Sequence, residues 1–375
     1  MKVLLFGGGF DPPHRGHRAL LQAALKTLEP GRAILIPSWL SPTKERHGAP
    51  PAERLALARL LAKDLPGRAC ADGFELRRRR RTYTYEVLRH YRRAFPGAEL
   101  WFLLGSDSLG ALPSWRRPEE LARSCGWVAG ARPGAPAAAP AGFRTLQLPG
   151  RFPDVSSTEL RARLYLGRGW RRLLDAPVAA FIERRGLYGL AARRDLERTL
   201  SPERYRHTLA VASLAAELAR RHGLDPAAAA LAGLLHDSGR RFDPAGMARY
   251  ARARRLPVPS REETLRRAPL LAHAYIGADL ARRRFGVSDP SVLAAIASHT
   301  LGRPKMTPLE RLLYVADLSA EGRSFAAAAR IRRLARRDLD AALREALAVK
   351  AAFARSRGGW LHPMTERVRR WAAGL

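Results

Sequence analysis

One stretch near the start of the chain constrains its fold more than any other: Gly7-Gly8-Gly9-Phe10-Asp11-Pro12-Pro13-His14-Arg15-Gly16-His17. It follows the apolar run Val3-Leu4-Leu5-Phe6, which predicts a strand buried on both faces of a parallel sheet. It precedes Ala19-Leu20-Leu21-Gln22-Ala23-Ala24-Leu25, whose apolar spacing predicts a helix. Glycines allow a sharp turn and a close approach of backbone to a ligand, because no Cβ intervenes. The two prolines stiffen the connection and remove donors that would need partners. Two histidines three residues apart then stand at the mouth of the helix, where free N–H groups and the dipole favour an anion. Strand, glycine turn and histidine-bearing helix together predict a phosphate site for nucleotide chemistry.

Further along, Ala33-Ile34-Leu35-Ile36, Leu100 to Leu104, Gly126 to Ala129 and Thr145 to Leu148 read as strands. Pro51 to Lys63, Tyr83 to Phe95 and Pro118 to Arg123 read as helices between them. This alternation predicts an α/β, Rossmann-like domain with a parallel sheet covered on both faces. Gly130 to Gly142 is rich in Ala, Pro and Gly and reads as a loop. After Tyr188-Gly189 the pattern changes. Ser201-Pro202-Glu203 is a helix start, and Leu209, Ala212, Leu214, Ala215 and Leu218 form a helical stripe. No strand is expected beyond it. The organisation expected is therefore an α/β domain over 1–189, a linker over 190–200 and an all-α domain over 201–375.

Charge and cysteine content narrow the setting. The formal net charge is +33 over 375 residues, which raises a nucleic-acid partner. The arginines lie along the whole chain, however, and lysine occurs only at 2, 26, 44, 63, 305 and 350. A compositional bias accounts for that distribution. No dedicated nucleic-acid partner is expected, only weak non-specific RNA association. Cys70 and Cys125 stand far apart and outside any ligand spacing, which fits a reducing compartment. With no signal peptide and no apolar run approaching a membrane span, a cytoplasmic protein is expected, with no membrane partner and the oligomeric state left open.

The words around the first site carry a resemblance. His14-Arg15-Gly16-His17 resembles the (H/T)xGH nucleotidyltransferase superfamily, and the longer Gly-Gly-x-Phe-Asp-Pro-Pro-His-x-Gly-His wording is similar to bacterial nicotinate-nucleotide adenylyltransferases. Pro42-Thr43-Lys44, Leu104-Gly105-Ser106-Asp107 with Trp115, Arg132-Pro133-Gly134 and Val155-Ser156-Ser157-Thr158-Glu159-Leu160-Arg161 extend it to about residue 189. The resemblance implies transfer of AMP from Mg2+-bound ATP to nicotinate mononucleotide, giving the deamido dinucleotide of NAD biosynthesis and pyrophosphate. His14, His17, Lys44 and Arg161 are then the candidate catalytic residues. Gly7, Gly8, Phe10, Thr84, Gly105, Asp107, Trp115, Arg132, Ser157 and Thr158 are the candidates for binding ATP and substrate. The residues suit that chemistry independently, since phosphoryl attack needs positioning and charge neutralisation. Ser156 to Glu159 also reads as a capping box. One departure stands out. The family's glycine turn before Ser-Tyr-Thr is replaced by five arginines, Arg77 to Arg81, ahead of Thr82-Tyr83-Thr84; most of them read as a solvated basic loop, while one could meet the nicotinate carboxylate.

The helical half has its own centre. His236-Asp237 is an adjacent pair whose side chains diverge by about 100° on a helix, so both reach one place only if something lies between them. A metal ion does. His222 before Gly223 instead suits a helix C-terminus, and His47 and His90 read as surface. The order His207, His236-Asp237, His273, His299, Asp317 resembles the HD-domain phosphohydrolases. The surrounding words, with His362-Pro363-Met364-Thr365, are similar to HD-type symmetrical bis(5′-nucleosyl)-tetraphosphatases. The resemblance implies these six residues as ligands of divalent iron or manganese, with Asp237 also catalytic, in splitting diadenosine tetraphosphate, a dinucleoside polyphosphate, to two ADP. A dNTP or a guanosine polyphosphate as substrate, or a regulatory or RNA-associated role, are the alternatives. Arg240 stands where that family commonly has lysine.

Overall fold

The computed structural model describes residues 1–40, 47–63, 65, 69–130, 140–323, 325–356 and 360–375, with the backbone alone at Ser106 and Asp107. Lys44, Arg132 and the Asp107 side chain therefore lie outside the described residues. The chain forms two compact units. One comprises Met1–Arg161 and Gly169–Arg185, the other Ala162–Arg168 and Gly186–Leu375.

The first unit holds six strands: β1 (Lys2–Gly8), β2 (Arg32–Pro37), β3 (Ala69–Ala71), β4 (Glu99–Gly105), β5 (Gly126–Gly130) and β6 (Thr145–Leu148). They lie in the order β3-β2-β1-β4-β5-β6, every pair parallel. Its helices are α1 (Arg15–Leu28), α2 (Pro51–Lys63), α3 (Phe74–Arg78), α4 (Thr84–Ala94), α5 (Ser106–Leu109), α6 (Pro118–Ser124), the start of α7 (Ser157–Leu166), whose residues from Ala162 on belong to the other unit, and α8 (Ala176–Arg185). The apolar run of β1 is buried on both sides, as a central parallel strand must be. Leu4 and Phe6 pack with Leu21 and Leu25 of α1 and Leu61 of α2. Val3 and Leu5 pack with Val87 and Leu88 of α4 and Leu121 of α6. The strand order reverses between β1 and β4, and such a reversal opens a crevice beyond the strands' carboxyl ends. Gly8 and Gly105 end those two strands, so the Gly7–His17 stretch and the start of α5 border the crevice.

The arginine run closes α3 and has partners of its own. Arg79 adopts a left-handed backbone as the C-cap of α3. Arg77 pairs with Asp72 at 2.7 Å, and Arg78 and Arg80 both reach Glu86, at 2.8 and 2.5 Å. Three of the five arginines are thus directed onto carboxylates of the same unit.

The second unit is helical throughout its described residues. It contains α9 (Leu190–Thr199), α10 (Pro202–Arg221), α11 (Pro226–Leu235), α12 (Pro244–Ala253), α13 (Arg261–Arg267), α14 (His273–Arg283), α15 (Pro290–Ser298), α16 (Pro308–Ser319), α17 (Ala327–Ala335), α18 (Leu339–Ser356) and α19 (Pro363–Ala372). Ser201, Asp225, Asp243, Asp289, Thr307 and His362 each cap a helix and accept a backbone N–H from its first turn, and proline follows each one. Proline suits that place because its missing N–H would have lacked an intrahelical acceptor. The stretch expected as a linker is helix α9. Its Asp195 is 7% exposed and is held by Arg241 at 3.0 Å and by Arg284, so α9 packs as part of this unit. No described helix is long and apolar enough to cross a membrane.

Candidate active sites

At the first site, the two histidines close the start of α1 upon each other. The His17 N–H donates to His14 Nδ1 at 3.4 Å, and the His14 N–H donates to His17 Nδ1 at 3.2 Å. Each Nδ1 is an acceptor, so in the neutral ring the proton sits on Nε2. The capping box thereby fixes both imidazoles as Nε2–H donors, with ring centroids 3.8 Å apart. Gly16 is required between them. A Cβ there would meet the His14 ring at 3.0 Å and the Pro153 carbonyl at 3.1 Å.

A second helix start is tied to the same turn. Ser156 Oγ accepts the Glu159 N–H at 3.1 Å, which caps α7, and Ser157 Oγ donates to the Pro12 carbonyl at 3.0 Å. Arg161 is 8% exposed. Its guanidinium donates to the Asp11 carbonyl at 2.9 Å and to Thr158 Oγ1 at 3.1 Å, and approaches the Asp11 carboxylate at 3.5 Å. The charge of Arg161 is directed onto Asp11, so this residue joins the two helix starts. Burial pushes the Asp11 carboxyl up, but His47, Arg161 and the Gly48 N–H outweigh it and hold the group below its ordinary value. His47, expected on the surface, has a side chain only 6% exposed, 3.6 Å from that carboxylate. Phe10 has a left-handed backbone, and its side chain packs inward, edge-on to Phe6. Thr84 begins α4 after Tyr83, and half-buried Trp115 lies edge-to-face with Trp127.

Two buried ionisable groups of the same unit are not marked by the sequence. Arg54 of α2 is 1% exposed and donates to the carbonyls of Gly9, Ser38 and Ala49. Nothing in its helical stripe marks an inward arginine; only the loop carbonyls that converge on it do. Glu75 of α3 is pushed up from 4.5 to about 8 by burial, against the Trp39 N–H and Arg54, and its Oε2 has no partner. A stability prediction follows from the sign. Between pH 4.5 and 8 the folded chain keeps a proton that the unfolded chain releases, so this group makes stability fall as pH rises. Glu75→Gln is therefore expected to match the parent near pH 5. At pH 8.5 and above it should exceed it by about 2–4 kcal/mol, at roughly 1.4 kcal/mol per pKa unit. Urea unfolding at the two pH values checks this.

In the second unit, α10, α14, α15 and α16, with the turn after α11, bring His207, His236, Asp237, His273, His299 and Asp317 together. The close approach of α10 and α11 depends on Gly233, where a Cβ would lie 2.6 Å from the Ala212 Cα. His236, His273 and His299 each use Nδ1 in the same way, donating to the carbonyls of Gly233, Leu270 and Ile296 at 2.6–2.7 Å. Their Nε2 lone pairs are left facing inward. The Nε2 atoms of His273 and His299 are 3.0 Å apart, and buried His236 Nε2 has no hydrogen-bond partner. Asp237 Oδ1 stands 3.3 Å from His273 Nε2, and Asp317 Oδ1 stands 2.9 Å from His207 Nε2 and 3.7 Å from His236 Nε2. His207, His236 and Asp237, and likewise Asp237, His273 and His299, offer ligand atoms within 4.8 Å of one another.

Protonation suits a cation. Burial pulls His299 down to about 4 and His273 well below its ordinary value, keeping both neutral. Burial would raise Asp237 and Asp317, yet Arg240 beside Asp237, and the His207 hydrogen bond and Arg323 beside Asp317, act against it, and both carboxyls lie below their usual range. Inward lone pairs, ionised carboxylates and an orphaned buried nitrogen are what a divalent ion needs of its donors.

Cations border this centre. Arg204 Nη1 donates to Asp237 Oδ2 at 2.8 Å, Arg240 Nε to Asp237 Oδ1 at 3.4 Å, and Arg323 Nη2 to Asp317 Oδ1 at 2.6 Å. Lys350, which the sequence reading did not single out, donates to the Thr300 carbonyl. Burial pulls its ammonium down to about 8. His222 caps α10 and meets the Ala335 carbonyl, away from the cluster.

A doubly wound sheet with a histidine-capped crevice, followed by a helical His/Asp centre, defines a nucleotidyltransferase domain joined to a metal-dependent HD domain. Family models agree: a cytidylyltransferase-like model matches residues 5–163 and an HD domain model matches 204–321. The chain is 35% identical, over half its length and 99% of the relative, to a probable nicotinate-nucleotide adenylyltransferase of Exiguobacterium sibiricum. It is 29% identical, over 84% of its length and 87% of the relative, to a probable nicotinate-nucleotide adenylyltransferase/Ap4A hydrolase of Mycoplasma pneumoniae. A solved structure from Clostridium acetobutylicum, described as a predicted HD superfamily hydrolase involved in NAD metabolism, is 31% identical, with a TM-score of 0.47, over 49% of this chain and 96% of that one. The chain belongs to the nicotinate-nucleotide adenylyltransferase family and carries an HD domain in its second half.

Proposed function

We propose a bifunctional enzyme, with an adenylyltransferase in residues 1–189, a hydrolase in 201–375, and 190–200 between them. In the first half, a phosphate oxygen of nicotinate mononucleotide attacks the α-phosphorus of Mg2+-bound ATP, and the bond to the leaving pyrophosphate breaks. The observation that carries this reading is the reciprocal cap of His14 and His17 at the start of α1 beside the crevice, which makes Nε2–H the donor of each neutral ring for charge that develops there. Ser157 and Arg161 hold the start of α7 against the Asp11–Pro12 turn, so two helix N-termini serve one phosphate chain. Thr84 and Trp115 border the pyridine, the indole offering its face to the ring. Lys44, Asp107 and Arg132 complete the proposed substrate contacts. The test is pyrophosphate release with nicotinate and with nicotinamide mononucleotide. Release must be faster with the nicotinate compound, and equal rates would overturn the assigned substrate.

In the second half, His207, His236, Asp237, His273, His299 and Asp317 would hold divalent iron or manganese. Held by these residues, such a metal would supply an acidified water and a Lewis acid for a phosphoryl oxygen. Asp237 and Asp317 stay ionised at every working pH, and the three Nδ1–H···carbonyl bonds keep the rings turned inward. Arg204, Arg240 and Arg323 give the centre a positive border suited to a polyphosphate. Diadenosine tetraphosphate, cut at its middle bridge to two ADP, is the substrate we assign. The Mycoplasma pneumoniae relative, named for both activities and matched over most of this chain, supports that choice. Free Cys70 and Cys125 suit a reducing cytoplasm, where these nucleotides occur.

A further inference from the structure

Helix α18 lies beyond the stretch matched by the HD model, yet it delivers a side chain to the turn that follows His299. Lys350 Nζ donates to the carbonyl of Thr300 and stands 4.7 Å from the centroid of the Tyr314 ring. Thr300 follows His299 directly. Its hydroxyl lies 3.0 Å from Nε2 of both His273 and His299, and the residue is buried. Tyr314, also buried, belongs to α16, the helix that carries Asp317. One ammonium thus ties the turn after His299 to the helix of a second carboxylate ligand.

The choice of residue is informative in an arginine-biased chain, where lysine occurs at only six positions. A compact ammonium fits one carbonyl and one ring face, whereas a planar guanidinium with its broad fork of donors does not. Burying that charge costs desolvation, and a carbonyl and a ring face compensate it only in part. For packing α18 alone, an unbranched apolar side chain would do better.

We infer that Lys350 is a positioning residue of the hydrolytic centre, setting the Thr300 hydroxyl against the His273–His299 pair through its hold on the Thr300 carbonyl. The inference rests on the hydrolase reading above. Both imidazoles commit their only N–H to backbone carbonyls, so here the single Thr300 hydroxyl hydrogen is shared between two Nε2 lone pairs; a bound metal would take those lone pairs and leave the hydroxyl to donate to a phosphate oxygen. Its placement governs what those lone pairs and a neighbouring phosphate oxygen meet. With Lys350 gone, the turn keeps its helix-closing bond from Gly302 N–H to the Ser298 carbonyl but loses its tether to α18.

The test compares Lys350→Met and Lys350→Arg with the parent in the full chain. Thermal unfolding, Mn2+ affinity by the free-ion EPR signal, and kcat and KM for diadenosine tetraphosphate are read on each. Lys350→Met is expected to bind Mn2+ within about threefold of the parent while kcat falls about tenfold or more and KM moves less than about threefold. Lys350→Arg keeps the charge but brings the fork that this carbonyl and ring face do not fit, so it should recover little of that loss. A kcat within about twofold of the parent in Lys350→Met overturns the inference. So does a loss matched by an equal loss of Mn2+ binding or of folded protein. If the parent itself fails to split the substrate, the hydrolase reading fails. Lys350 is then judged by orthophosphate affinity at the Mn2+-loaded centre, expected about fivefold weaker in Lys350→Met, and an unchanged value overturns the role.

Discussion

Asp237→Asn and His236→Ala each abolish nucleotide hydrolysis while leaving pyrophosphate formation within about twofold of the parent; the loss expected is on the order of a thousandfold or more. The asymmetry follows from geometry. Asp237 offers its oxygens to two groups of potential ligands, near His236 on one side and His273 on the other. Losing its charge removes a donor from both and leaves Arg204 and Arg240 beside a neutral amide. His236 is fully buried with an orphaned Nε2, so alanine removes a lone pair without disturbing any hydrogen bond beyond the one to Gly233. Metal content, measured after dialysis against iron or manganese, must fall with the activity. Retained hydrolysis in either variant would place the water-activating group elsewhere.

His17→Ala is expected to have the converse effect, lowering adenylyl transfer by about 10²–10³ and leaving hydrolysis unchanged. Two losses combine in it. The substrate loses one Nε2–H donor, and the His14 N–H loses the acceptor that completes the capping box. The second loss costs roughly 1 kcal/mol of helix stability, too little to unfold a sheet whose central strand is buried on both faces. The rate loss should therefore persist at temperatures well below the midpoint of unfolding. A transfer rate within tenfold of the parent would show that these imidazoles do not meet the reacting phosphates.

Much of this architecture is written locally. The apolar run Val3–Phe6 sits between two packed faces because it has no polar residue to give to solvent. The cap-proline pairs mark six helix starts, each by the chemistry of its own two residues. The His/Asp centre was legible for a related reason: an adjacent His-Asp pair has little structural use on one helix. What escaped was either too short or too distant. Three-residue β3 offers no period to read, and its place at the sheet edge is set by pairing with β2. Arg54, Glu75 and Lys350 look like ordinary solvent-facing charges, and only tertiary packing buries them. His47 was misjudged because its partner, Asp11, lies in another part of the same unit. The Arg77–Arg81 run reads from sequence mostly as a solvated basic loop, and what that reading lacks is the pairing of three members with Asp72 and Glu86.

The most direct test is a product analysis of the unaltered protein by anion-exchange chromatography. With nicotinate mononucleotide and Mg-ATP it should yield the deamido dinucleotide and pyrophosphate in equal amounts. With diadenosine tetraphosphate and iron or manganese it should yield ADP alone, two for each substrate consumed. No pyrophosphate in the first reaction, or AMP with ATP in place of ADP in the second, would contradict the two-centre account.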